Sequence, residues 1–413
     1  MPEIRPFPAI RFDHTRYAGD LSAVLAPPYD VLNQADKDAL LAKSDHNIVA
    51  IDLPHIPPKT LGPSKAYEQS AAAMTDWLDR GILVREDAPA LYLYHQLFEH
   101  AGTSYTRRKF IARVRLHPFS DNVILPHEQT FGGPKEDRLA LMKTTKCNLS
   151  PVFVLYADPK NQIGKAFSEV AAQAPDVAAS LNGIDNRMWI AKDAAVIDTV
   201  TKLMADKNLY IADGHHRYGT ALNYRDWYAK ERGGSLPDDH PVNYVMLVLA
   251  SMDDPGCLIL PYHRALAEIK LATVLDAWSA GTESCKREDA DIVLVEGATG
   301  TEVPLRFTGR NKLKALEPDH CKPWYDLDAA YLHRYLIDEL LKRKLEAEPQ
   351  VRYVKSEEMA RKTAREQSGV ALLVNATPMS HLRAISEAGG LMPQKSTYFY
   401  PKLATGLTIN PLE

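Results

Sequence analysis

The chain has 413 residues, of which 45% are hydrophobic and 25% are charged, a composition typical of a folded globular protein of two or three domains. A formal net charge of −4 argues against the large basic face that non-specific binding to nucleic acid requires. The four cysteines are scattered without a C-x-x-C pair, which predicts neither a disulfide framework nor a zinc knuckle. A reducing, cytoplasmic location fits this cysteine usage best.

Targeting and membrane signals are also absent from the pattern of the sequence. Residues 1–9 hold prolines and charges where a secretion signal would need an apolar run. No stretch approaches the roughly 20 apolar residues of a membrane span. We therefore expect a soluble cytoplasmic protein whose partner is a small molecule rather than nucleic acid or a membrane, and a homodimer is compatible with all of these features.

Hydrophobic periodicity along the chain predicts a mixed α/β fold. The segments with helical patterns are, in chain order, 34–43, 64–80, the Ala-rich stretch 158–179, 193–204, 271–278 and 328–344. The segments with strand patterns are 90–98, 105–116, 150–156, 243–251, 291–295 and 302–307. The first two strands flank a loop with Gly102 and predict a β-hairpin. The run 243–251 is almost entirely apolar, which predicts a strand buried on both faces.

Strand alternation places Lys109, Arg113 and Arg115 on one face of the second hairpin strand. One interpretation is a solvated outer sheet face, since strands with one wet face are common. The alternative is a local positive cluster that binds a small anion.

The segment 209–218 carries the strongest indication of chemistry. Four apolar or aromatic residues lead into Asp213 and Gly214, and the next residues have helical periodicity, so a strand, a tight turn and a helix start are predicted. The free N–H groups of a first helical turn attract phosphate. His215, His216 and Arg217 add donors or charge at the same place. The alternative is that Asp213 is an ordinary N-cap and that the histidines pack or face solvent.

Two further motifs and the C-terminal segment contain residues that could belong to a site. In the charged turn 132–138, Lys135 and Arg138 could close over phosphates and Glu136 or Asp137 could hold Mg²⁺, although charged turns are commonly just solvated. Consecutive prolines before Tyr29 and Asp30 predict a rigid turn. The segment near the C-terminus combines aromatic residues with Lys395, Ser396, Thr397, Tyr398 and Lys402. A docked tail that contributes to a pocket would account for these lysines, whereas a simple closing strand would not.

The motif Asp213-Gly214-His215-His216-Arg217-Tyr218 resembles the phosphate-binding element of the ParB and sulfiredoxin superfamily, and most of all that of the free-serine kinases. Over its whole length the sequence is similar to domain-of-unknown-function family 1015. The segments that carry this similarity are 26–31 (APPYDV), 126–128 (PHE), 133–139 (GPKEDRL), the histidine motif and 392–402 (MPQKSTYFYPK). Sulfiredoxins have a reactive cysteine where this chain has His215, so cysteine-based repair chemistry is excluded. The Glu-Arg-Arg signature of the DNA-segregation members is also absent.

This resemblance implies a nucleotide-binding core at 89–265, preceded by an α/β region at 1–88 and followed by an α/β domain at 266–413 whose tail returns to the site. It further implies a kinase that phosphorylates a small hydroxyl substrate, most plausibly free L-serine, with ATP or ADP as donor and Mg²⁺. The implied catalytic residues are Glu128, Asp213 and His216, with Glu128 accepting the proton of the hydroxyl. The implied nucleotide ligands are Lys135, Arg138, Gly214, His215, His216 and Arg217, and the implied metal ligands are Asp213 and Glu136.

Two other functions remain open at the level of the sequence. His127, Glu128, Asp213, His215 and His216 are all legitimate zinc ligands, so a metal-dependent hydrolase or phosphatase is one alternative. A non-enzymatic nucleotide-binding regulator is the other.

Overall fold

The structure is a computed structural model that describes residues 1–128 and 135–413, with Lys135 lacking a described side chain. It contains helices and a large mixed sheet, which confirms the predicted α/β class. The chain divides into two compact units. The first comprises residues 1–125, the chain from the end of the undescribed segment to Cys257, and Pro401–Glu413. The second comprises Leu258–Tyr400 together with the short piece that holds His127 and Glu128. The three regions expected from the sequence stay a prediction.

The first unit holds the larger set of elements. Its strands before residue 258 are β1 (Ile4–Arg5), β2 (Ile10–Phe12), β3 (Leu83–Arg85), β4 (Leu91–His100), β5 (Thr103–Arg115), β6 (Ile124–Leu125), β7 (Cys147–Asn148), β8 (Val152–Tyr156), β9 (Val177–Leu181), β10 (Ile184–Ala191), β11 (Leu209–Asp213) and β12 (Tyr244–Ser251). Its helices are α1 (Gln34–Lys43), α2 (Val49–Asp52), α3 (Ser64–Asp79), α4 (Lys135–Thr145), α5 (Gln162–Ala166), α6 (Ser168–Ala171), α7 (Ala194–Met204) and α8 (His215–Glu231).

The second unit follows in the chain. Its strands are β13 (Leu258–Leu260), β14 (His263–Leu266), β15 (Thr282–Ser284), β16 (Ile292–Glu296), β17 (Glu302–Phe307), β18 (Val351–Val354), β19 (Val370–Val374) and β20 (Tyr398–Tyr400). Its helices are α9 (Leu271–Trp278), α10 (Arg310–Leu316), α11 (Lys322–Tyr325), α12 (Asp328–Ala330), which continues through a π-helical stretch (Tyr331–Leu341) into α13 (Lys342–Leu345), α14 (Glu357–Glu366) and α15 (Met379–Glu387). The chain then returns to the first unit with β21 (Asn410–Pro411).

The large sheet of the first unit has the strand order β6-β11-β8-β12-β5-β4-β10-β9, with β1 beside β5. The pairs β11–β6 and β12–β8 are parallel, and the other pairs are antiparallel. In β5, Phe110, Ala112 and Val114 face a hydrophobic core, to which Ile163 and Phe167 near α5 and Val200 and Met204 of α7 also belong. The second unit has its own antiparallel sheet of order β15-β17-β16-β19-β14-β18.

The opposite face of the large sheet is covered by the C-terminal segment Pro401–Glu413. Arg113 Nε donates to Asn410 Oδ1 at 2.6 Å, and Arg107 donates to the carbonyl oxygen of Pro401. Lys109 is only 2% exposed. The interpretation of this face as a solvated one is therefore wrong, because a segment almost 300 residues further along the chain shields it from water.

Local patterns located most elements correctly. Helices α1, α3, α7, α9 and the long helix that begins with α12 lie where periodicity placed them, and β4 and β5 form the predicted hairpin around Gly102. The helix expected over 158–179 is too long. The helical part ends with α6 at Ala171, and Val177 begins β9. Pro175 lies between them and lacks the N–H that a continuing helix would need.

Candidate functional site

The candidate site of the first unit begins at the junction of β11 and α8. Gly214 lies between them as the N-cap with φ 93° and ψ 27°, a left-handed conformation that favours glycine. Its carbonyl oxygen accepts the first helical hydrogen bond, from the N–H of Tyr218 at 3.0 Å. The strand, turn and helix predicted from the sequence are thus present, and the N–H groups of the first turn of α8 lie at the end of a buried strand.

Asp213 is the carboxylate at this junction, and it faces cations. Its Oδ2 accepts a hydrogen bond from Lys402 Nζ at 2.7 Å, and its Oδ1 lies 3.5 Å from Arg217 Nη2. Burial by itself would raise the pKa of Asp213, but Lys402, Arg217 and His215 outweigh burial and hold the pKa below its ordinary value of 3.8. Asp213 is therefore ionised at neutral pH, and the tail lysine Lys402 lies at the histidine motif.

Arg217 belongs to the first turn of α8 and is largely buried, with 12% of its side chain exposed. Besides facing Asp213, it donates to the carbonyl oxygen of Pro151. A Cβ at residue 214 would come within 2.9 Å of Arg217 Cζ, so the guanidinium lies against the bare backbone of Gly214. Gly214 is thus required both for its backbone conformation and for the space that Arg217 occupies.

Arg217 lines a narrow cavity together with Arg138 of α4. The enclosed space that a water-sized group can occupy is about 30 Å³, within a wider recess of about 410 Å³ that includes open solvent. Its lining residues are Asp52, Arg138, Leu141, Met142, Cys147, Asn148, Leu149, Ser150, Val152, Arg217, Thr220 and Val245. The charged-turn motif and the histidine motif, which lie far apart in the sequence, therefore contribute one arginine each to the same cavity.

Arg138 is 6% exposed and is held by carboxylates and an aromatic ring. Its Nε donates to Asp137 Oδ2 at 2.8 Å, and its Nη1 donates to the carbonyl oxygen of Asp52 at 2.6 Å. The guanidinium lies 4.0 Å from the ring centroid of Tyr29, which places the rigid proline turn against this arginine. Its Nη2 is buried and has no hydrogen-bond partner among the residues that the structure describes. A buried N–H donor without a partner is uncommon and indicates a place for an external acceptor.

Asp137 supports Arg138 from a second side. Its Oδ1 accepts from Tyr67 Oη at 2.8 Å and lies 3.0 Å from His55 Nε2. Burial acts to raise its pKa, but Arg138 and the hydrogen bonds of Tyr67 and His55 lower it overall. Asp137 is therefore an ionised anchor for Arg138 rather than a metal ligand that faces solvent.

Sequence reasoning missed Asp52 and Ser150. Asp52 is 3% exposed, and its Oδ2 accepts from Ser150 Oγ at 2.7 Å. Burial raises the pKa of Asp52, with Arg138, Ser150 and Arg217 opposing this effect. The only local signal for Asp52 is its position among the apolar residues Val49, Ile51 and Leu53. An acidic residue that is buried with such neighbours must find a polar or charged partner.

The other predicted ligands have different surroundings. His215 and His216 are partly buried in the first turn of α8, where the carbonyl oxygen of His216 accepts from Thr220 Oγ1 at 2.8 Å. Glu136 is exposed in the first turn of α4. The side chain of Lys135 and residues 129–134 lie outside the described part of the chain.

Glu128, the predicted base, belongs to the second unit. Its Oε1 accepts from the backbone N–H of Lys395, and its Oε2 lies 3.7 Å from His127 Nε2. His127 is fully buried, with Nε2 2.9 Å from Thr397 Oγ1. The His-Glu motif and the segment that contains Lys395 and Thr397 thus contact each other within this unit.

The described residues contain neither a metal-binding cluster nor a membrane-spanning helix. Within residues 1–128 and 135–413, no group of three or more His, Cys, Asp or Glu side chains is arranged to hold a metal ion. No helix in the described part of the chain is both long and apolar enough to cross a membrane.

The fold and the two arginines define a mixed α/β protein with a buried, cation-lined cavity. A family model described as "Protein of unknown function (DUF1015)" matches residues 4–377, so the chain belongs to this family. The resemblance drawn from its motifs is thereby confirmed. A search of curated proteins gave no match.

Solved structures with a similar course of the chain include free serine kinase in complex with AMP, at 12% identity and a TM-score of 0.34, covering 72% of this chain and 92% of that one. SbnI with a C-terminal truncation, from Staphylococcus aureus, has 14% identity and a TM-score of 0.37, covering 73% of this chain and 87% of that one. A conserved hypothetical protein from Pyrococcus furiosus has 12% identity and a TM-score of 0.35, and the match covers 73% of this chain and 94% of that one.

Proposed function

We propose that this protein is a phosphotransferase that binds a nucleotide, ATP or ADP, and phosphorylates the hydroxyl group of a small compound. The observation that carries the proposal is the cavity lined by Arg138 and Arg217, in which Arg138 Nη2 has no partner among the described residues. Free L-serine is the proposed acceptor because the histidine motif resembles that of the free-serine kinases.

The charges in this cavity favour a phosphate group. A guanidinium presents N–H donors in a fixed geometry that matches phosphate oxygens. The first turn of α8 adds backbone N–H groups and the positive end of the helix dipole. A phosphate oxygen at Arg138 Nη2 would satisfy a buried donor.

Phosphoryl transfer needs mainly positioning and charge neutralisation. In the proposed reaction Gly214, His215, His216 and Arg217 hold the phosphates, with Lys135 and Arg138 as further ligands. Asp213 orients the acceptor, and Glu128 takes the proton of its hydroxyl group. The acceptor oxygen then bonds to the terminal phosphorus as the bridging P–O bond breaks and the shortened nucleotide leaves. His216, as the other proposed catalytic residue, neutralises charge on the transferred group.

Magnesium is part of the proposal as an ion that would reach the site with the phosphates. Carboxylate oxygens are its usual protein ligands, and Asp213 and Glu136 are the proposed ones. Asp213 accepts a hydrogen bond from Lys402, so an ion at this carboxylate would replace that lysine. Glu136 is exposed and open to such a role.

The direct test is incubation with ATP or ADP, Mg²⁺ and a panel of hydroxy acids and amino acids that includes L-serine, with products identified by mass spectrometry. A phosphorylated acceptor is the expected result. Release of inorganic phosphate without any phosphorylated acceptor would indicate a hydrolase instead. If no acceptor reacts and nucleotide nevertheless binds, the protein is a nucleotide-binding regulator and the proposed activity is wrong.

Replacement of Arg217 tests the phosphate site. Arg217→Ala should weaken ATP binding by about 1.5–3 kcal/mol, because a hydrogen bond to a charged group is lost. Isothermal titration calorimetry measures the effect. Arg232→Ala is the matched control, since Arg232 lies just after the other end of α8 with 61% of its side chain exposed. Equal affinities of a folded Arg217→Ala protein and the control would place the phosphates elsewhere.

Replacement of Glu128 tests the base. Glutamine keeps an oxygen that can accept from the N–H of Lys395 but cannot take up a proton at neutral pH. Glu128→Gln should therefore retain nucleotide binding while turnover falls by roughly 10²- to 10⁴-fold. Glu366→Gln, an exposed carboxylate of the same unit, should leave turnover unchanged. A changed Mg²⁺ requirement at normal turnover would instead assign Glu128 to metal binding.

A further inference from the structure

A second cavity lies in the first unit between the large sheet and the helices α5 and α6. Its empty space is about 720 Å³, part of it continuous with solvent. Among the described residues it shares no lining residue with the cavity of Arg138 and Arg217. The proposed phosphotransfer makes no use of it.

Strand register sets a polar row of side chains beside an apolar row, and the cavity is lined by His95 and Arg108 of the first row and by Leu93 and Phe110 of the second. Arg187 of β10, His95 of β4 and Arg108 of β5 are direct neighbours across three adjacent strands. Two residues further along the same strands, the corresponding row is Trp189, Leu93 and Phe110. Side chains two residues apart share a sheet face, so a cationic row adjoins an apolar one.

The apolar end is continued by aromatic and aliphatic side chains of the surrounding elements. The ring of Phe110 lies 5.5 Å from that of Phe167 and 6.2 Å from that of Tyr156, measured between centroids. Ile163 and Ala171 close the helical side. An aromatic or branched aliphatic group would bury its surface here without leaving a polar atom unsatisfied.

His95 is the central residue of the polar end. Its ring contacts Trp189 at 4.9 Å between centroids, and it lines the cavity. Burial and the neighbouring cations Lys109, Arg108 and Arg187 lower its pKa to about 4, so the imidazole is neutral at pH 7 and can donate one N–H. Arg187 pairs with Asp185 at 2.7 Å.

Asp254 is the acidic residue of the cavity lining. It accepts from the N–H of Gly256 at 2.7 Å and lies 3.6 Å from Arg108, whose side chain is 52% exposed. Its charge is therefore already balanced within the protein, while the N–H groups of Arg108 that do not face it point to an exposed region. The polar end therefore offers N–H donors of Arg108 and His95 to a bound acceptor.

We propose that this cavity binds a small carboxylate with an aromatic or branched aliphatic tail. The carboxylate would lie against Arg108 and His95, and the tail against Leu93, Phe110 and Phe167. Two donors match the two oxygens of a carboxylate. A phosphate or nucleotide would place further polar atoms against the apolar row, and these atoms would lose their hydrogen bonds to water.

The test uses 3-phenylpropionate as the probe, titrated into the full chain and followed by calorimetry and saturation-transfer NMR. Saturable binding at millimolar concentration or below is expected. Its uncharged counterpart 3-phenylpropan-1-ol should bind about tenfold more weakly, since it lacks the charge-assisted hydrogen bonds. No saturable binding of the carboxylate, or equal binding of the alcohol, would overturn the proposal.

Two variants, each with its own control variant, locate the bound probe. Arg108→Gln should weaken binding of the probe roughly tenfold. This is the lower end of the range for losing a hydrogen bond to a charged group, because Arg108 is partly exposed to water. Lys165→Gln removes an exposed cation of α5 that does not line the cavity and should have no effect. Ser168→Phe should block the cavity, whereas Ser168→Ala should leave it open. Unchanged binding in Ser168→Phe, or displacement of the probe by ATP, would place the probe in a different site and contradict the proposal.

Discussion

The ionisation of Asp213 depends on side chains from two distant parts of the chain. Arg217 follows it by one helical turn, whereas Lys402 comes from the C-terminal segment. Only 26% of the Asp213 side chain and 22% of the Lys402 side chain are exposed, so the pair is less screened than an ordinary surface ion pair. The contribution of this ion pair to the free energy of unfolding should therefore be measurable from the pH dependence of stability.

We expect Lys402→Met to lower the free energy of unfolding at pH 7 by about 1–3 kcal/mol, because a partly buried carboxylate loses a cation. The pKa of Asp213 is lowered in the folded protein, so its contribution is present above the ordinary value of 3.8 and is lost as the pH falls below that value. The difference between wild type and variant should thus shrink below pH 3.8 in urea unfolding experiments. Lys362→Met, with 73% of the side chain exposed, is the control. A difference that stays constant with pH would show that the ion pair is not its source.

At the scale of elements, α8 combines a backbone requirement with a side-chain one. Gly214 and Gly233 flank this helix and both have φ near 90°. A Cβ at Gly233 would meet nothing within 4 Å, whereas a Cβ at Gly214 would meet the Arg217 guanidinium at 2.9–3.0 Å. The two positions therefore separate the cost of the conformation from the cost of displacing Arg217.

Both Gly214→Ala and Gly233→Ala should lose about 1–2 kcal/mol of stability, since alanine is disfavoured in the left-handed region. Only Gly214→Ala should also weaken ATP binding, by roughly tenfold, because Arg217 must move away from the phosphate site. Urea unfolding and calorimetry measure the two effects. If the variants bound ATP equally well, the position of Arg217 would be irrelevant to the nucleotide.

The positions of helices were predicted more accurately than the solvent exposure of the strand faces. The capping Asp193 and the periodicity of α7 are local features, and the structure has the helix where they place it. The alternation of β5 is also local, but the solvent exposure of its two faces is not. Arg113 contacts the C-terminal segment and Lys109 is buried over the ring of Tyr94, so charged side chains that pattern alone assigns to solvent are shielded from it.

At the scale of the whole molecule, the return of residues 401–413 to the large sheet is held by Asn410. This side chain is fully buried, accepts from Arg113 Nε at 2.6 Å and donates to Asn148 Oδ1 at 2.8 Å. Removing it would take away the acceptor of Arg113 Nε and would leave Asn148 Oδ1 with the N–H of Met246, at 3.2 Å, as its donor. The same segment carries Lys402 to Asp213, so stability and the candidate site depend on it together.

We expect Asn410→Ala to destabilise the protein by about 2–4 kcal/mol, because a charged donor and an amide lose a buried partner. Hydrogen exchange of residues 401–413 should become faster as the segment detaches more often. Glu413→Gln changes an ion pair with Lys146, whose side chain is 55% exposed, and should alter stability by less than about 0.5 kcal/mol. Unchanged exchange in Asn410→Ala would mean that other contacts hold the segment.

The sequence by itself determined the α/β class, most element positions, the family and the turn at Gly214, because these follow from periodicity, capping and short motifs within about 20 residues. Only the tertiary structure decided that Arg138 joins Arg217 in one cavity with Asp52, and that Lys402 reaches Asp213. Strand order, register and burial bring such residues together, and no local pattern encodes which distant side chain will become a neighbour. The pKa values of Asp52 and Asp213 depend on those neighbours, and so the electrostatics of the site emerged only from the folded chain.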